Sequence, residues 1–128
     1  MLKSSLKGKN SKIIRGALNK TQFREQSESL FLTSGFTYQT AEQAEAIFKG
    51  DETGFQYTRY ANPTIDTFEK RMAVIDGSEI CFATASGMAA VFASLMCQLQ
   101  AGDHVVSATA LFGSCREVLK NIITRYGI

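Results

Sequence analysis

The sequence predicts an α/β fold organised around a right-handed βαβ crossover. Three observations carry this reading. Asn62-Pro63 opens a helix with apolar residues at helical spacing, and two apolar runs of strand length stand at Ile80-Cys81-Phe82-Ala83 and Val105-Val106-Ser107-Ala108. The roughly 20 residues between those runs contain another helix, the arrangement that parallel strands require.

The 128 residues are 45% hydrophobic with a formal net charge of +2, enough for one core and too little for two. The longest apolar candidate, residues 80–99, is broken by Thr84, Ser86, Gly87, Ser94 and Gln98, so no membrane partner is expected. Cys81, Cys97 and Cys115 are odd in number and widely spaced. They read as small buried thiols of a reduced, cytoplasmic chain, with no metal site and no disulfide framework.

Residues 1 to about 60 show no sustained period. Lys3, Lys7, Lys9, Lys12, Arg15, Lys20 and Arg24 all precede the first acid, Glu25. A solvated extension, a nucleic-acid arm and an organelle presequence all fit such a start, although lysine outnumbers arginine, which is atypical of a presequence. A secretory signal is not expected, because no apolar core follows the first lysines. Residues 40–49 then read as a short helix, with Thr40 as N-cap, Glu42 in the first turn, Lys49 near the end and Gly50 as the stop. The rest of this region reads as an extended arm whose aromatics need another surface to lie against.

In the helix after Asn62, Ile65, Phe68, Met72 and Ile75 recur until Gly77 and form its expected buried face. Residues 86–100 form a second helix closed by Gly102. It carries a stripe of Met88, Val91, Phe92, Leu95 and Leu99, and Ala89, Ala90, Ala93, Met96 and Cys97 fill its other sides. A helix apolar nearly all round is expected in the interior. The last helix, residues 114–126, turns Val118, Leu119, Ile122, Ile123 and Tyr126 inward and covers one face of the sheet. Two parallel strands alone leave both edges unpaired, and Tyr126-Gly127-Ile128 reads as a helix end leading toward a further strand. The chain is therefore expected to be the front portion of a larger α/β protein.

Two stretches could bind an anion. At Thr84-Ala85-Ser86-Gly87-Met88-Ala89-Ala90, a strand-to-helix turn offers unpaired N–H groups, a glycine that lets an anion approach and a serine hydroxyl. The same letters also describe a common helix cap. At Tyr57-Thr58-Arg59-Tyr60-Ala61-Asn62-Pro63-Thr64, Tyr57 and Arg59 on one side of an extended segment could clamp a phosphate, or Arg59 could be a surface arginine beside core aromatics. His104, the only histidine, sits beside Asp103 at a strand entry and reads as a solvated turn residue. With one histidine there is neither a Cys-His nucleophile nor a His-rich metal site.

These two stretches, followed in order by Gly102-Asp103-His104-Val105-Val106 and Leu111-Phe112-Gly113-Ser114, resemble the Cys/Met-metabolism family of pyridoxal-phosphate enzymes. Glu28 to Gly35, Thr84 to Val91 and Ala110 to Cys115 look most like the family's homoserine-ester sulfhydrylases. The likeness begins at about Lys12, which makes Lys12 to Arg15 part of the family's arm and argues against a targeting peptide. It implies a type I, aspartate-aminotransferase-like fold. Residues 1–60 would be an N-terminal arm with a short helix, and residues 61–128 an incomplete front part of the domain that binds pyridoxal 5'-phosphate. It further implies that Ser86, Gly87 and Met88 hold the cofactor phosphate. Tyr57 and Arg59 would reach that phosphate in a neighbouring subunit of a homo-oligomer, and Phe112 would stack on the pyridine ring. The partners it implies are a small-molecule substrate and a second copy of the chain, with no nucleic acid.

The family's Schiff-base lysine, the aspartate that pairs the pyridinium nitrogen and the arginine that grips the substrate carboxylate have no counterparts here. After Lys20 the only lysines are Lys49, Lys70 and Lys120, none of them in a matching motif. The isolated chain is therefore expected to be inactive. A non-catalytic remnant or interaction module is the reading from a different class.

Overall fold

A computed structural model describes residues 8–17 and 20–128, apart from the side chain of Lys9. Lys3 and Lys7 of the basic start lie outside the described residues. The described elements are α1 (Lys9–Arg15), α2 (Ala41–Lys49), α3 (Pro63–Asp76), α4 (Gly87–Met96) and α5 (Gly113–Glu117). A π-helical turn (Val118–Ile122) and a 3₁₀ turn (Ile123–Tyr126) continue α5. The chain divides into two compact units, Met1–Phe82 and Ala83–Ile128.

In the first unit the helix ends follow the capping chemistry. Thr40 accepts from the Gln43 amide and Gly50 closes α2 at φ 82°. Asn62 accepts from the Thr64 amide, Pro63 takes the first helical position, and Gly77 closes α3 at φ 84°. A Cβ at Gly77 would meet nothing within 4 Å, so its substitution isolates the left-handed backbone penalty. Gly77→Ala is expected to cost about 1–2 kcal/mol in urea unfolding, and an unchanged midpoint would show that this end of α3 frays freely.

The arm contains a helix that its pattern does not announce. α1 starts at Gly8 without a side-chain cap and has no acid in its first turn, so the usual start signals are missing. It packs on α3. Arg71 of α3 donates from Nε to the Gly16 carbonyl at 3.2 Å and pairs through Nη1 with Glu28. Phe31 donates its amide to Thr64 Oγ1 at 2.9 Å. Thr64 and Arg71, two turns apart on α3, thus form a polar strip that bonds the arm, and the buried Thr67 between them returns its hydroxyl to the Pro63 carbonyl. The expected burial of Ile65, Phe68 and Met72 is corrected, because all three are exposed. The residues of α3 that are buried are Thr67 and Ala73. Arm groups that supply hydrogen bonds select the polar side of α3, which leaves its larger apolar side open.

In the second unit α4 follows Ser86, whose hydroxyl accepts from Ala89 N at 3.2 Å. The helix ends at Met96, short of the expected residue 100, and Gly102 turns at φ 95°. No residue of α4 is buried, which corrects the expectation of an interior helix. The described residues of its unit cover only part of its circumference. Cys97 is exposed while Cys81 and Cys115 are half-buried, so the buried-thiol reading fails at position 97. The last helix forms but changes pitch. Ile123 N bonds Val118 O across the π turn, which brings these two residues, five apart, onto one buried side. Phe92 of α4 stands 6.5 Å from the Tyr126 ring, and Gly102 N donates to Gly127 O at 2.7 Å.

The two expected strands form no ladder among the described residues, so the crossover is not built as a paired sheet. Ile80, Phe82 and Val106 are 66%, 80% and 88% exposed, as strand residues are when no neighbour lies beside them. The described pairing is a single antiparallel bridge, Gly35 to Tyr57, inside the arm. Among the described residues no helix is long and apolar enough to cross a membrane, and no cluster of metal-ligating side chains occurs.

Candidate functional site

The bridge from Gly35 to Tyr57 folds the arm back on itself. Phe36 N donates to Gln56 O at 3.2 Å and Thr58 N to Ser34 O at 2.9 Å, fixing the backbone on both sides of Tyr57. The chain then turns, since Tyr57 O accepts from Tyr60 N at 2.9 Å and from Ala61 N at 3.1 Å. The expectation of an extended segment is corrected to a tight turn with Thr58 and Arg59 at its centre. Tyr57 and Arg59 still come together, for a different reason. The Arg59 guanidinium carbon lies 5.5 Å from the Tyr57 ring centroid and 5.3 Å from that of Tyr60, so two aromatic faces hold the cation. No acidic residue pairs with Arg59 among the described residues, in contrast to Arg71 with Glu28. The residue is exposed, and its donor fork has no carboxylate among the described residues to neutralise it.

Two residues that sequence reasoning assigned no site role anchor this turn. Asn62 was legible only as a helix cap, yet it is 3% exposed and makes two further bonds through Nδ2, to Phe31 O and to Thr58 Oγ1, both at 3.0 Å. Thr58 donates its hydroxyl proton to Thr33 O. An asparagine four residues after a threonine is the only trace of this link in the sequence.

Ser86, Gly87 and Met88 open α4 in the second unit. The amides of Gly87 and Met88 find no acceptor among the described residues, the normal state of a first helical turn. Gly87 has no positive φ and a Cβ there would meet nothing within 4 Å, so neither backbone conformation nor crowding requires glycine. What glycine leaves is open space beside two free N–H groups at the positive end of the helix dipole. The Ser86 hydroxyl, already accepting from Ala89, keeps its proton for an incoming oxygen. This donor set fits a phosphate dianion. Thr84 Oγ1 bonds Ser86 O at 2.9 Å and steadies the turn before it.

Phe112 precedes α5 in the same unit and is 74% exposed, with its ring face free for stacking. Met88, Phe92, Ser114, Val118 and Ile122 line a groove between α4 and the last helix. His104 is exposed, as expected for a turn residue. Lys49 pairs with Glu45, and Lys70 with Asp66 at 2.6 Å, both on solvated helix faces.

The pattern of the Cys/Met metabolism PLP-dependent enzymes matches residues 10–128. The chain belongs to this family. Pyridoxal phosphate is the cofactor of Cys/Met metabolism enzymes, and the chain's relatives among them include sulfhydrylases and lyases. The O-succinylhomoserine sulfhydrylase of Mycobacterium tuberculosis is 47% identical over 115 residues, which cover 90% of this chain and 28% of that protein. The L-methionine gamma-lyase of Porphyromonas gingivalis is 31% identical over 118 residues, covering 92% and 30%. The chain thus spans under a third of the length of the curated relatives it matches. A crystal structure from Campylobacter jejuni, assigned as an O-acetylhomoserine (thiol)-lyase and containing N'-pyridoxyl-lysine-5'-monophosphate, superposes with a TM-score of 0.88 at 29% identity. That match covers 94% of this chain and 30% of the Campylobacter chain. The type I fold of the family is present here as its N-terminal part.

Proposed function

We propose that the chain is the N-terminal portion of a pyridoxal-phosphate-dependent O-succinylhomoserine sulfhydrylase, a cytoplasmic homo-oligomer that replaces the succinyl group with sulfide and so makes homocysteine for methionine synthesis. The observation that carries the reading is the start of α4, where two amides without an acceptor among the described residues, a hydroxyl and an open glycine face converge. When bound, pyridoxal phosphate supplies the electron sink for the reaction. Gly87 and Met88 hold its phosphate through their amides and Ser86 through its hydroxyl. Tyr57 and Arg59 complete the grip from an adjacent protomer, and Phe112 stacks on the ring. In this reading residues 1–60 are the arm and residues 61–128 the front of the cofactor domain. Alone the chain is inactive, since Lys49 and Lys70 are tied to neighbouring acids and no lysine stands in a Schiff-base motif. The 31% identity to a methionine gamma-lyase favours a second reading, a gamma-synthase or lyase of the same family. The higher identity to the sulfhydrylase supports the first.

Pyridoxine 5'-phosphate, which has no aldehyde to label stray lysines, tests the site. In NMR titrations the Gly87 and Met88 amides should shift with this compound and stay still with pyridoxine. Gly87→Ala should weaken binding about tenfold by filling the approach, while leaving α4 as stable or stabilised by up to about 1 kcal/mol. Equal affinity in that variant, or unmoved amides, would remove the phosphate from this turn.

A further inference from the structure

We propose that Asn62 and Thr58 are the positioning residues of the Arg59 guanidinium, an inference that rests on the reading of Arg59 as a phosphate ligand. Arg59 is exposed and has no acidic partner among the described residues, so its own contacts do not fix the backbone that carries it. That backbone is fixed from behind. Thr58, its neighbour in the turn, points its hydroxyl inward, donating to Thr33 O and accepting from Asn62 Nδ2 at 3.0 Å. Its amide is held by Ser34 O at 2.9 Å.

The direction of every proton in this cluster is determined. Thr64 N needs an acceptor, so Oδ1 of Asn62 faces it at 2.8 Å and Nδ2 faces the Phe31 carbonyl and Thr58. Because Nδ2 only donates, the Thr58 proton must go to Thr33. Position 62 therefore needs one acceptor and two donors on a short side chain, which asparagine provides. Aspartate keeps the cap and loses both donors, serine keeps the cap and loses the reach, and glutamine is too long. With Asn62 3% exposed, water has little access to replace a lost partner. The start of α3 is thereby joined to the turn that presents Arg59 between the Tyr57 and Tyr60 rings.

Serine caps a helix about as well as asparagine, so Asn62→Ser separates positioning from capping. Thr58→Val removes the hydroxyl without changing shape, and Thr58→Ser restores it. Two readouts on the 128-residue chain are needed. The first is the upfield ring-current displacement of the Arg59 δ protons, which reports the guanidinium's seat between the two tyrosines independently of any ligand. The second is affinity for pyridoxine 5'-phosphate. Asn62→Ser and Thr58→Val should each lose most of the displacement and bind about fivefold more weakly, and the double variant should be little weaker than either single one. Thr58→Ser should stay within about twofold of the parent. A parent-like displacement in Asn62→Ser and Thr58→Val, with α3 amides unmoved, would overturn the positioning role. Parent-like affinity in Arg59→Ala would instead overturn the phosphate reading, leaving the displacement to judge positioning by itself.

Discussion

Arg59→Ala is expected to weaken binding of pyridoxine 5'-phosphate about a hundredfold. Two charge-assisted hydrogen bonds from a planar guanidinium to phosphate, at about 1.5 kcal/mol or more each after desolvation, amount to about 3 kcal/mol. The guanidinium is available to make them because aromatic faces, not a carboxylate, hold it in place. Arg59→Lys should recover part of the loss, since it keeps the charge and gives up the fork. Tyr57→Phe should cost only a few-fold, because the ring that stacks on the cation remains and one donor is lost. The site is exposed, so the effect of Arg59→Ala should shrink as ionic strength rises. Isothermal titration across a salt series measures all of this. Affinity within twofold of the parent at low salt would show that the phosphate is bound without Arg59.

Local chemistry was the readable part of this chain. Thr40, Asn62 and Ser86 cap helices because their side chains accept first-turn amides a few residues away. Gly50 and Gly77 end helices because they adopt left-handed backbone. Such interactions span three or four residues and leave a mark in the letters. The misread features depend on partners distant in the chain. Periodicity identified Ile65, Phe68 and Met72 as one face of α3 and had no means of telling that arm groups dock on the polar strip beside it through Arg71 and Thr64. The runs at residues 80–83 and 105–108 have strand composition, but a strand is completed by neighbours, and the described residues provide none. Tyr57 and Arg59 were paired for the wrong geometric reason, alternation along an extended segment. A turn pinned by Asn62, whose cap role masked its other two bonds, is what brings them together.

The second large effect concerns the lock between arm and α3, where the two members of one ion pair should behave unequally. Arg71 is 20% exposed and spends Nε on Gly16 O and Nη1 on Glu28, while its Nη2 is buried with no hydrogen-bond partner among the described residues. Glu28→Ala would leave that cation facing an apolar side chain with a second nitrogen unpaired. The expected cost is about 2–3 kcal/mol, below that of a fully buried pair because water reaches part of the site. Arg71→Met removes the cation together with its desolvation and its orphaned nitrogen, keeps similar volume, and frees a carboxylate that is 33% exposed and can rehydrate. It should cost less, about 1 kcal/mol. Acid should mimic the first variant. The Glu28 carboxyl is held below its ordinary range by its own backbone amide and then by Arg71. Glu25 is pulled from 4.5 to about 2, chiefly by the Thr21 hydroxyl and then by the Thr21 amide. A carboxyl whose folded pKa is depressed contributes stability that is full above its unfolded value and is lost as pH falls through the folded one. Arm docking through Glu28 should therefore hold at neutral pH and weaken as pH falls below the ordinary carboxylate range, the Glu25 turn within the arm should loosen only as pH nears about 2, and Glu28→Gln should flatten the first part of that slope. Hydrogen exchange at the amides of residues 28–36, followed against pH in parent, Glu28→Ala and Arg71→Met, reads the lock directly. Equal protection in the two variants would mean that the pair contributes by shape alone.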